Sequence, residues 1–357
     1  MVASPIIARG IFASYFLLIL SLFSIILGSL RRRISNIGHV PPSAYVFGAL
    51  MVGSFYHTWY YMIKFLLWSF HDFESHHPNV ESSALDRLTQ WLMGTDLFEQ
   101  AWRRVCEGPL NWWWSEQLCI LTVGVWTTFL FTQGTRYPGI PSPPHEISPF
   151  ARSQRRIPFV WAYMLLGQVV AISVASNLFF AALVLHDSPS ERKSKSKSKS
   201  PSHTALVPAR VYLPILLSHL TILLSPTVAQ PDSKWFLPNL LTMHLLIVLP
   251  LVLSRSPTTS QNNPSLCTFY LILAALALVP RAQTYLSFPY QDIPSLARQL
   301  WATLYSHPAQ SSIGFDVVWT TASFGVYCAM VGGLGLGLVG LVSPGLALYL
   351  DSDHHDY

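Results

Sequence analysis

Apolar residues run through this chain in long unbroken stretches, not in alternation. Ile6–Leu30, Ser43–Phe70, Asn111–Gln133 and Phe159–Leu185 are each long enough to cross a hydrocarbon core as helix, which takes about 20 residues. Val211–Ala229 and Phe236–Leu253 are shorter and carry prolines. Leu266–Pro280 is marginal in length, and a last stretch opens near Ile313 and runs through Gly340. Within that stretch, Gly333 and Gly337 fit close helix packing. Continuous runs indicate helices, and alternation would indicate strands. The pattern therefore predicts an all-α, polytopic transmembrane helix bundle of seven to eight spans, one integral-membrane domain over 1–357.

The segments between the runs refine this picture. Arg31–Arg33 closes the first run. A signal peptide carries its charge before the run, so a retained helix with a cytosolic end is expected. Residues 71–110 are too polar to span. Leu85, Leu88, Leu92, Trp102 and Val105 suggest amphipathic helices on the membrane surface, with Asp96 and Glu99 as a capping box. His71–His77 holds metal-ligand side chains without regular spacing and reads as a solvated loop. No metal site is expected. Residues 187–210 contain a Lys/Ser-rich run, which predicts disorder. With eight spans and an outer N-terminus, that run falls outside, against the positive-inside rule.

Polar side chains inside the spans carry the candidate chemistry. Glu116 stands behind Trp112, Trp113 and Trp114. A carboxyl group near a span centre costs about 2.5–3.5 kcal/mol on insertion scales, less toward an end. Asp316 opens the last span and is followed on one helix face by Trp319, Thr320, Ser323 and Tyr327. His57, Tyr60, Tyr61, Lys64 and Trp68 form another single face, expected to turn inward. Gln168 and Asn177 either bond neighbouring helices or line a substrate cavity. Seven spans would bring Glu116 and Asp316 near one face of the membrane, whereas eight would separate them.

Composition and motifs then narrow the function. The 357 residues are 51% hydrophobic and 11% charged, against about 25% charged in average soluble proteins. The net charge of +5 sits in loops and gives no reason to expect a nucleic-acid partner. Four cysteines lack CxxC spacing and read as apolar fillers. There is no Walker A, HExxH or GxSxG sequence and no aspartate-rich cluster for a diphosphate-bound metal. A buried carboxylic acid can donate a proton, and aromatic faces stabilise cations. Together they suit acid-triggered cyclisation of a polyene or epoxide. A non-enzymatic transporter or membrane interaction protein is the alternative.

The phrases WWWSEQL, WAYMLLGQVVAISVASNLFF and HPAQSSIGFDVVWTTASF, within residues 50–340, resemble the fungal membrane-bound terpene cyclases typified by the ascofuranone and ascochlorin cyclases. The resemblance implies a meroterpenoid cyclase of secondary metabolism, in the endoplasmic reticulum, acting without a cofactor. The implied substrate is an epoxidised farnesyl-type chain on an aromatic, polyketide-derived core. It makes Glu116 and Asp316 the expected catalytic acids. His57, Tyr60, Tyr61, Trp112, Trp113, Gln168, Asn177, Trp319 and Tyr327 become the expected substrate contacts.

Overall fold

The computed structural model describes residues 4–77, 83–134, 157–186, 206–230, 232–252, 263–288, 292–343, 346, 347 and 350. In chain order these form α1 (Pro5–Ile37), α2 (Pro42–His76), α3 (Ala84–Gly94), α4 (Leu97–Cys106) and α5 (Gly108–Ile120). A π-helical turn, Leu121–Trp126, leads into α6 (Thr127–Gly134). Then follow α7 (Val160–Val169), α8 (Ile172–His186), α9 (Ala209–Val228), α10 (Phe236–Val252) and α11 (Leu266–Leu286). The last two are α12 (Ile293–Leu304) and α13 (Pro308–Val342). Proline in the first turn starts α1, α2, α5, α12 and α13, where its fixed φ suits a helix and its missing N–H costs nothing. Every regular element among the described residues is helical, and one isolated bridge joins Leu206 to Ser265. By length and composition, four helices among the described residues can cross a membrane: α1, α9, α11 and Pro308–Gly340 of α13.

Residues 159–185, expected as one span, are two helices. The chain leaves helical geometry at Val170 (φ −120, ψ −73) and restarts at Ile172. Tyr163 packs on Phe179, and a Cβ at Gly167 would lie 2.9 Å from Ile172. The two arms therefore lie side by side and run antiparallel. Tyr15, in the first third of α1, donates to Val169 O at the turn (2.6 Å). Arg33, near the end of α1, donates to Leu185 O (3.1 Å) at the far end of α8. Ile157 N, just before α7, bonds Gly134 O. Both arms thus start and finish at the Arg33 end of the bundle. Thirteen residues of α8 are buried, which makes this half-length helix the centre of the core, between α2, α7 and α13.

The opposite end holds α3, α4 and α12. Phe12 of α1 meets Trp91 of α3 edge-to-face. Arg103 of α4 donates to Ala229 O and Ser233 O and so ties down the α9–α10 turn. Within 71–110 the described residues, 71–77 and 83–110, form the end of α2, then α3, α4 and the start of α5. Helix α2 continues through the histidine-rich stretch, where His76 and His77 bond the carbonyls of Asp72 and Phe73. Asp96 makes no side-chain cap, and Glu99 pairs with Arg103. Of the Lys/Ser-rich segment, 187–205 lies outside the described residues. Residues 206–210 are ordered: Val207 is buried and Ala209 begins α9.

Two further expectations change at the C-terminal side. Pro280 does not end its helix; α11 continues to Leu286. Gly333 (φ 83, ψ 178) interrupts α13, a conformation open to glycine. Beyond it, a Cβ at Gly337 would lie 2.6 Å from Ala329 Cβ and 3.1 Å from Gly325 O. The last segment thus folds back on its own helix. Gly335, Gly337 and Gly340 have dinucleotide-fingerprint spacing, but no strand precedes them among the described residues, and the fingerprint requires a strand-to-helix turn.

Candidate functional site: two buried carboxyl groups and a polar cleft

Glu116 and Asp316 lie at matching depths. Helices α5 and α13 both start at the α3–α4 end, at Gly108 and Pro308. They pack together where a Cβ at Gly314 would touch Trp114 (3.7 Å). The two acids nevertheless have separate surroundings.

Asp316 faces the break between α7 and α8. Its Oδ2 accepts Ile172 N–H (2.9 Å) and its Oδ1 accepts Ser173 N–H (2.8 Å) and the Thr320 hydroxyl (3.3 Å). A helix that starts inside a protein core leaves unpaired N–H groups, and its positive end attracts an anion. Asp316 supplies both needs across the bundle. Asn177 lies one turn further along α8, fully buried, donating to Ser173 O. Its Oδ1, the Tyr163 hydroxyl and Gln168 Nε2 have no hydrogen-bond partner among the described residues.

Glu116 is wholly buried. Its Oε2 accepts from the Thr284 hydroxyl, and Arg281 Nε stands 3.3 Å from Oε1. The Arg281 guanidinium lies 5.5 Å above the Trp113 ring. Both partners belong to the part of α11 beyond Pro280. Sequence reading ended the span there and so missed them. The available signal was Arg281 itself, a base one turn before Thr284 on the same helix face.

Beside this group lies a cleft of about 820 Å³. Thr284 and Trp112 line it, with Trp68, Arg103, Arg104 and His307. Neither acid does. Arg104 is paired with Glu107 at 2.7 Å, and Arg103 with Glu99. His307 is 8% exposed. Burial, aided by the Arg104 charge, pushes its imidazole down to about 4. Its Nδ1 accepts Ala309 N–H, so the proton of the neutral ring sits on Nε2. That atom has no partner among the described residues. Burial, with Cys119 nearby, also pushes the Cys106 thiol up.

The other expected contacts are scattered. His57 stacks on Phe315 (3.8 Å) and accepts from Trp319 Nε1 (3.2 Å). Tyr61 stacks on Phe315. Tyr60 is 44% exposed and Lys64 lies over its ring (4.6 Å). This face of α2, expected to point inward, straddles the edge of the α2–α13 contact. Tyr327 stacks on Phe180 in the aromatic core. Only Trp112 of the expected contacts lines the cleft. Among the described residues, no three His, Cys, Asp or Glu side chains gather as metal ligands.

No family model, curated protein or solved structure matches this chain.

Proposed function

We propose that this chain is an integral-membrane enzyme that protonates an epoxide on a farnesyl-type chain and cyclises it. In this reading the bundle crosses the bilayer seven times, through α1, α2, α5–α6, α9, α10, α11 and α13. Helices α7 and α8 form a re-entrant pair. A carboxyl group fully buried beside a roomy cleft, with one hydroxyl between them, carries the reading. Glu116 is the acid. Arg281 balances the carboxylate left after proton transfer. Trp68 and Trp112 shield the cation with their ring faces. Asp316, with both oxygens committed to backbone N–H groups, positions α8. The substrate class, an epoxidised prenyl chain on an aromatic core, follows from the sequence resemblance, as does placement in the endoplasmic reticulum.

The experiment is expression in yeast microsomes with epoxy-prenyl phenols, followed by chromatography of the products. Wild-type membranes should form a cyclised isomer of the substrate, with EDTA as without it. General acid catalysis contributes about 10²–10⁴-fold. Glu116→Gln should therefore lower turnover by at least about a hundredfold at near-normal protein level. A full-strength Glu116→Gln enzyme would sink the assignment. Absence of product from every epoxide offered would sink the cyclase reading itself.

A further inference from the structure

Glu116 is sealed from the cleft that it would have to serve. Its exposure is zero, and it is absent from the cleft wall. Thr284 fills the gap: its hydroxyl touches Glu116 Oε2 on one side, and the residue lines the cleft on the other. A hydroxyl can donate and accept at once, which a valine of the same shape cannot do. Thr284 is itself 4% exposed, so its side chain has little freedom to turn elsewhere. Arg281, one turn earlier on α11, reaches the other carboxylate oxygen and is itself partly exposed.

We propose that Thr284 is a proton relay between Glu116 and the cleft. When Glu116 is protonated the roles in this contact reverse: the Thr284 O–H rotates toward the cleft, and as it gives its hydrogen to an oxygen of the cleft ligand, its Oγ takes the proton from Glu116 Oε2. One O–H bond breaks and one forms at each step, and Glu116 is left as a carboxylate facing the Arg281 guanidinium. When the cation later loses a proton to Thr284 Oγ, the hydroxyl passes its own hydrogen back to Glu116. No net proton is consumed. The relay rests on Glu116 being the acid proposed above, but it is a property of the resting protein and can be tested without substrate.

The test is infrared spectroscopy of the full chain in lipid nanodiscs after a rapid drop in pH. The signal is the carboxylic-acid C=O band that disappears in Glu116→Gln. Wild type and Thr284→Ser should develop this band at similar rates. Thr284→Val should develop it roughly ten or more times more slowly, because general acid–base transfer needs hydrogen-bond contact or one bridging water. Circular dichroism and gel filtration establish that each variant is folded. Where valine unfolds the chain, Thr284→Cys replaces it: the larger, weakly bonding thiol should slow the band in the same direction. Folded Thr284→Val or Thr284→Cys with wild-type kinetics overturns the relay, as does a Glu116-dependent band that never forms. Neither result depends on the substrate. A normal relay with no product from any epoxide would leave the relay standing and overturn the cyclase reading alone.

Discussion

Asp316 and Glu116 are the same kind of group used in two ways, and their partners show the difference. Asp316 offers acceptors to three donors. In Asp316→Asn, an amide NH₂ would face a backbone N–H in a buried site. One buried donor left unpaired costs about 1–3 kcal/mol, so this variant should reach a lower membrane level and elute as a broadened peak in detergent. Normal yield and a sharp peak would show that the cap is dispensable. His307 sets a pH limit. Its folded-state value of about 4 lies below the ordinary 6.5. The stability it contributes is therefore complete above pH 6.5 and is lost as pH falls toward 4. Thermal unfolding of the solubilised protein should shift down over that window, and His307→Gln should flatten the dependence. Glu116 and Asp316 were legible as costly groups inside apolar runs. Arg281 and Thr284 were not, because Pro280 signalled a helix end that the folded chain overrides.

At the scale of elements, the decisive feature is the α7–α8 hairpin. Its break carries neither glycine nor proline: Val169, Val170 and Ala171 stand there. An apolar window of this length therefore reads as one continuous span. What stops the helix lies far along the chain, in Asp316, and pairings across that separation leave no mark on local periodicity. Gly167 did carry a hint, since it permits close approach of the second arm: a Cβ there would lie 3.4 Å from Ala175. Gly167→Leu should force the arms apart and cost about 1–3 kcal/mol, the usual penalty of overpacking a core. The measurement is the melting temperature of the solubilised variant beside that of Gly167→Ala, which should be affected less. Equal melting temperatures for both variants and wild type would mean that the arms do not pack as described. The π-helical turn was equally hidden; there Thr127 reaches back five residues to Thr122 O.

For the whole molecule, the hairpin changes which segments share a side. A continuous span would place 135–156 and 187–205 across the membrane from each other. The hairpin returns the chain to the Arg33 end, where Leu185 O meets Arg33 and Ile157 N meets Gly134 O. Cysteines introduced singly at positions 145 and 197 should react with a membrane-impermeant maleimide from the same side in sealed microsomes. Labelling from opposite sides would restore the continuous span and remove the seven-crossing arrangement. In the seven-crossing arrangement proposed above, both segments would attach on the Arg31–Arg33 side, which the positive-inside rule would then make cytosolic. The helical class was legible from apolar runs alone, as were long apolar helices of a length that suits a membrane. The fold-back within 159–185 was not, because length and hydropathy are the same for a span and for a folded pair.

The Asp316 cap also sets a timetable for synthesis. The start of α8 leaves the ribosome 144 residues before the carboxylate that completes it. At about 5–20 residues per second, bare N–H groups wait roughly 7–30 seconds inside a nascent bundle. During that interval the hairpin must be sheltered by α1 and α2 or by the insertion machinery. A chain cut short before α13 would never close it. Maturation of this protein is therefore committed only when its last membrane helix arrives.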